Sequence, residues 1–216
     1  MLWTMILSGG WTLVVIIAVS LLGFGLIIER FIAYWRARAR AELLMPEIEQ
    51  RVREGDLNGA LEACNRYRGA VPEVCSMAIS HEIHAASGGG LGEDLNEAVQ
   101  AYVRTVVVPK LRRFLRLIGL VARVEPMLGL LGTVFGMIQL FVTMAGQGMG
   151  DPRTFTEGVG LALVTTAAGL LVAIPVIYFH GLLVGRAESI ENEVDRYVPT
   201  VLQWLRWLRL SREDQV

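Results

Sequence analysis

Three runs of this chain are almost free of ionisable side chains: Met1 to Ile28, Pro126 to Gly150, and Gly158 to Gly185, the last interrupted only by His180. This constrains the fold more than any other feature, because about 20 apolar residues rising about 1.5 Å each match a hydrocarbon core of about 30 Å. Backbone polar groups in lipid must be satisfied within the segment, so each run is read as a spanning helix. With 53% hydrophobic and 19% charged residues and a mean hydropathy of +0.47, the chain is more apolar than an ordinary soluble domain. The first run is read as a transmembrane helix and not a signal peptide. No Lys or Arg precedes it, it exceeds a typical signal core, and Glu29 and Arg30 follow it in place of a small-residue cleavage site. Gly9 and Gly10 set off a short interfacial piece from a helix starting near Trp11.

Basic residues give the orientation, since short loops rich in Lys and Arg stay cytoplasmic. Arg30, Arg36, Arg38 and Arg40 follow the first run; Arg104, Lys110, Arg112, Arg113, Arg116 and Arg123 precede the second; and Arg186, Arg196, Arg206, Arg209 and Arg212 follow the third. Only Arg153 lies between the second and third runs. The expected order is an interfacial segment with span one (1–28), a cytoplasmic helical region (29–120), span two (121–147), an outer loop (148–157), span three (158–185) and a C-terminal cytoplasmic helix (186–216), with a periplasmic N-terminus. The net charge of −1 gives no reason to expect a nucleic-acid partner. Topology and lipid head groups account for the arginines.

The cytoplasmic region reads as helical. PEIEQRVREGDLNGALEACNRYRG opens on Pro46 with acidic residues suited to a helix start, breaks at Gly55-Asp56, and resumes with Leu57, Ala60, Leu61 and Cys64 on one face. A helix over Val71 to His84 follows, and SGGGLGED (87–94) marks a hinge. Leu95, Val99, Tyr102, Val103, Val106 and Val107 then recur at helical spacing, with Pro109 kinking or briefly interrupting the approach to span two. Beyond span three, Ile190, Val194, Tyr197, Val198, Val201, Leu202, Trp204, Leu205 and Leu208 form an apolar stripe. The fold class is therefore an all-α membrane protein with three transmembrane helices, spans two and three extending as long helices into a cytoplasmic helical domain.

Several chemistries find no support. GGGLG lacks the Lys-Ser/Thr of a phosphate loop and follows no strand. His81-Glu82-Ile83-His84 with Cys64 and Cys75 fits no common zinc spacing, and cytoplasmic thiols stay reduced, so neither a metal nor a disulfide is expected. No nucleophile stands with its base, so the chain is not read as an enzyme, and no cofactor is expected. Arg123 and Glu125 read as interfacial charges at the start of span two, forming a local or intersubunit pair, with a proton-exit role as the lesser alternative.

The chemistry lies in the spans. Gly129, Gly132, Gly136, Gln139 and Thr143 recur at spacings of three and four, as do Ala162, Thr166, Gly169 and Ala173 with Thr165 beside them. Helices in lipid associate through close packing at small residues and through side-chain hydrogen bonds. Such faces can simply hold spans two and three together. They can also leave room for a helix of another protein, with Thr133 and Thr166 offering hydroxyls to an ionisable group on it.

PMLGLLGTVFGMI (126–138) and GVGLALVTTAAGLLVAIP (158–175) resemble the two signature segments of the MotA/TolQ/ExbB proton-channel family, with EGDLNGALEACNRYRGAVPEV (54–74) similar to the cytoplasmic segment of its ExbB/TolQ branch. The resemblance covers most of residues 10 to 210. It implies a homopentamer in the bacterial inner membrane whose second and third spans enclose the helices of a dimeric, single-span ExbD/TolR-like partner. That partner carries a membrane aspartate, and a TonB/TolA-like protein is the implied target. Protons are the implied coupling ion, with sodium as the alternative. Thr133 and Thr166 match the family's two intramembrane threonines, which line the ion path, and Thr165 beside Thr166 is counted with them. Gly129, Gly132, Gly136, Gln139, Ala162, Gly169 and Ala173 fall on packing positions around the partner, and Pro126 and Pro175 on kinks. Where many ExbB and TolQ sequences carry a glutamate, this chain has Leu161. Glu157, one turn earlier, is the substitute carboxylate, or else a solvated helix start.

Overall fold

The computed structural model describes residues 10–36, 41–86, 94–147 and 152–213, and apart from short turns these are helical, with no strand among them. The helices are α1 (Gly10–Arg36), α2 (Ala41–Arg53), α3 (Leu57–Arg66), α4 (Ala70–Ala86), α5 (Leu95–Tyr102), a π-helical turn (Val103–Val107), α6 (Val108–Leu111), α7 (Leu115–Gln147) and α8 (Pro152–Glu213). Three apolar stretches long enough to cross a membrane lie within Trp11–Trp35, Leu95–Gly146 and Gly158–Ser211. The interfacial piece before Gly9 and most of the glycine-rich hinge, 87–93, lie outside the described residues. The chain divides into two compact units, Met1–Arg30 with Phe114–Leu183 and Phe31–Arg113 with Val184–Val216.

In the first unit α1 packs on α7. A Cβ added at Gly23 would stand 2.8 Å from Val121 Cγ1, and Trp11 meets Phe135 edge-on with ring centroids 5.9 Å apart. Arg30 is almost buried; it donates to both Glu29 carboxylate oxygens at 2.6 Å and lies 5.3 Å over the Phe114 ring, a cation–π arrangement. Met127, Leu130, Val134, Ile138 and Phe141 stand exposed along one side of α7, an apolar surface suited to lipid or other helices.

The second unit has an ordinary soluble core. Leu44, Ile48 and Val52 of α2, Ala60 and Ala63 of α3 and Val74 and Ile79 of α4 are fully buried, as are Val99 of α5 and Leu205 of α8. The α8 row Val194, Val198, Val201, Leu205 and Leu208 is buried at spacings of four and three, which is the seam expected of an amphipathic helix. Gly55 turns the chain between α2 and α3 with φ +76°, a conformation that costs glycine little. Asp56 then caps α3 by accepting from Gly59 N–H at 2.9 Å. That bond, followed by the one from Arg51, holds the Asp56 carboxyl below its usual range. Tyr34 donates its hydroxyl to Leu111 C=O at 2.6 Å, Lys110 pairs with Glu73, and Arg112 pairs with Glu191. Cys64 and Cys75 are free and buried. Burial pushes the Cys64 thiol up to about 12 and the Cys75 thiol still higher, so both are poor nucleophiles.

Three local readings of the sequence differ from the structure. Pro46 does not begin a helix; α2 starts at Ala41 with Pro46 inside it. Proline forfeits one backbone bond there, and the buried face of Leu44, Ile48 and Val52 outweighs the loss. The helix is irregular before Pro109, where the π-helical turn Val103–Val107 lies, and it breaks fully only at Arg112–Phe114. Phe114 takes φ +64°, a left-handed conformation uncommon outside glycine. Finally, α8 begins at Pro152, inside the segment read as the outer loop 148–157.

Candidate functional site

The site begins with how closely α7 and α8 approach. A Cβ on Gly129 would lie 3.0 Å from Thr165 C=O, 3.1 Å from Thr166 Cα and 3.3 Å from Gly169 Cα, and one on Gly169 would lie 2.7 Å from Glu125 C=O and 3.0 Å from Gly129 Cα. These neighbours are backbone atoms that no rotamer change can move, so glycine at both positions is a condition of the crossing. Farther along, Gly136 faces Ala162, and Ala162 and Ala173 are buried. The seam then passes to buried Leu140, which lies against Gly158. Gln139 and Thr143 are exposed, off the α7–α8 contact. Pro126 and Pro175 are both internal to their helices and half-buried.

Three hydroxyls gather at this crossing. Thr166 Oγ1 donates to Gly129 C=O at 3.0 Å. Thr165 Oγ1, fully enclosed, reaches the same carbonyl at 3.3 Å while donating to Ala162 C=O at 2.7 Å. Thr133 Oγ1 lies 2.7 Å from Leu130 C=O and 3.1 Å from Thr166 Oγ1. Each hydroxyl has one proton to give, so the Thr133–Thr166 pair has two donation orders. Thr133 can give to Thr166, which gives to Gly129 C=O. Alternatively, Thr166 gives to Thr133, which gives to Leu130 C=O. A hydroxyl pair with two satisfied arrangements can pass a hydrogen bond along without leaving a buried group unpaired.

The structure therefore brings Thr133, Thr165, Thr166, Gly129, Gly132, Gly136, Ala162 and Gly169 to one helix seam. Glu157 and Leu161 lie on the α8 backbone, and their side chains fall outside what is described. The sequence reading misplaced one neighbouring group. Glu125 makes no local pair with exposed Arg123; it is 0% exposed, and neither carboxyl oxygen has a hydrogen-bond partner among the described residues. Its place four residues before Gly129, on the face that carries Gly132 and Gly136, was the available signal.

Residues 73–196 match the model of the MotA/TolQ/ExbB proton channel family. The chain is 38% identical over 100 residues to the biopolymer transport protein exbB1 of Vibrio cholerae, covering 46% of this chain and 44% of that one. It is 30% identical over 217 aligned positions to a biopolymer transport protein ExbB homolog of Methanothermobacter thermautotrophicus, covering 97% of this chain and 72% of that one. It is 33% identical over 78 residues to the Tol-Pal system protein TolQ of Haemophilus influenzae, covering 36% of this chain and 34% of that one. The aligned stretch thus spans less than half of the Vibrio and Haemophilus proteins. With the helical fold and the three apolar stretches, these matches show a membrane protein whose relatives are transport and channel subunits and not enzymes: the chain belongs to the MotA/TolQ/ExbB proton channel family, on its ExbB/TolQ branch.

Proposed function

We propose that this chain is the channel and stator subunit of an inner-membrane motor driven by protons. Its N-terminus is periplasmic and the arginine-rich flanks of its spans are cytoplasmic. A homopentamer encloses the spans of an ExbD/TolR-like dimer through α7 and α8, and a membrane aspartate on that partner loads and unloads the coupling ion beside Thr133 and Thr166. The motion that results does work on a TonB/TolA-like protein. One observation carries the reading: the hydroxyls of Thr133 and Thr166 stand 3.1 Å apart with two donation orders, at a crossing too tight for any side chain at Gly129 or Gly169.

Thr166→Val keeps the volume and deletes the hydroxyl. The bond lost to Gly129 C=O costs about 1 kcal/mol of stability, and a hydroxyl that contacts the moving charge is worth more, so ion flux through the reconstituted complex is expected to fall roughly tenfold or more while the complex stays assembled. Flux equal to wild type would remove the hydroxyl from the path. A second reading, a scaffold that holds the partner helix without appreciable ion flow, is motivated by Leu161 at the position of the family glutamate. Sodium coupling is separated from proton coupling by running the same assay under a sodium gradient alone.

A further inference from the structure

The least explained group in the first unit is Glu125. Its side chain is 0% exposed, both carboxyl oxygens lack a hydrogen-bond partner among the described residues, and its backbone carbonyl is held against Gly169 of α8. Glu125, Gly129, Gly132 and Gly136 follow one another at spacings of four, three and four, so the carboxyl shares the helix face that meets α8. It sits one turn from Gly129, whose carbonyl the threonine hydroxyls approach, on the side of the arginine-rich segment Arg112 to Arg123.

A bare carboxylate charge in such a place is costly. The group carries a proton or it meets a cation. The described residues offer no evident cation: Arg116 and Arg123, on its own helix, are exposed, and Arg30 of α1 is engaged with Glu29 and Phe114. On α8, Tyr178 and His180 are the only titratable side chains between Gly158 and Gly185, and the His180 ring lies against Gly119, nearly two turns before Glu125. We infer that Glu125 is a proton-binding station on this chain, one helical turn from Gly129 and about two turns from Thr133 toward the arginine-rich end of α7. The inference rests on the proton-channel reading above and adds a titrating group to it that belongs to the channel subunit and not to its partner. The step is a plain transfer: one proton binds a Glu125 carboxylate oxygen, and one proton leaves it toward the basic end.

The test treats the complete reconstituted complex with dicyclohexylcarbodiimide, which adds a protonated carboxyl across its C=N bond and rearranges to a stable acylurea. The peptide containing Glu125 is then weighed by mass spectrometry across a pH series, and flux is measured in parallel for Glu125→Gln and Glu125→Asp. Labelling of Glu125 that declines as pH rises, with flux at least tenfold lower in E125Q and partly retained in E125D, is the expected result; co-elution of the subunits in each variant shows that assembly is intact. An unlabelled Glu125, as when a cation from a neighbouring subunit covers it, overturns the inference, and so does wild-type flux in E125Q. Labelling in a complex that carries no flux at all upholds proton binding at Glu125 and overturns the channel reading instead.

Discussion

Gly169→Leu is expected to leave little correctly assembled protein. The first added carbon would already stand 2.7 Å from Glu125 C=O, 3.0 Å from Gly129 Cα and 3.2 Å from Gly129 N, all backbone atoms of α7. α7 and α8 would have to move apart, and the separation would break the Thr166 bond to Gly129 C=O. Overpacking of a fitted contact costs about 1–3 kcal/mol, and the loss of that hydrogen bond adds about 1 kcal/mol, a large part of the total stability of a domain. Gly132→Ala is a graded comparison. The added carbon there meets Thr165 Oγ1 at 2.5 Å, which a rotamer change can move, and Thr165 Cβ at 2.7 Å, which only a small shift of the backbone relieves; an alanine is also far smaller than a leucine. Size-exclusion profiles and apparent melting temperatures in detergent should place Gly169→Leu far below Gly132→Ala, and equal behaviour would count against the close crossing as the basis of assembly.

Arg209→Ala is expected to be the most damaging single loss among the ion pairs of the second unit. Arg209 donates twice to Glu82, at 3.0 Å and 2.5 Å, and the two side chains differ in setting: Glu82 is 6% exposed and Arg209 45%. Removing the arginine strands a buried carboxylate, whereas neutralising the glutamate leaves an arginine that water can reach. Breaking a buried pair costs about 3–5 kcal/mol; allowing for the exposed arginine, Arg209→Ala should cost about 2 kcal/mol and Glu82→Gln less than about 1 kcal/mol. Thermal unfolding of the two variants is the check, with an expected drop of about 5 °C for the first. The reverse order would mean that the pair is not the buried, charge-compensated contact described here.

Much of this architecture was legible because lipid imposes a simple rule: uncharged runs of sufficient length become helices. The threonine and glycine spacings carried the α7–α8 seam, since residues three and four apart share a helix face. What was not legible depended on packing decided at a distance. Gln139 and Leu140 are neighbours in sequence and equally plausible as continuations of the seam, and only the position of Gly158 selects Leu140. Glu125 beside Arg123 and Pro126 reads as an interfacial charge, and its burial depends on Gly169, some forty residues away. Pro46 has the appearance of a helix start until the buried α2 face is known. The left-handed Phe114 carries no sequence signature at all, because glycine or asparagine would normally mark it.

Under the proposed function this chain moves protons together with an ExbD/TolR-like partner. The direct measurement is proton flux into liposomes holding the co-purified complex of this chain and its single-span partner, under an imposed pH gradient and membrane potential without sodium, beside a complex whose partner lacks its membrane acid. The proposed function requires flux in the first and none in the second. A verified complex with the same proton flux with or without the partner acid, or with no flux in either, would contradict it.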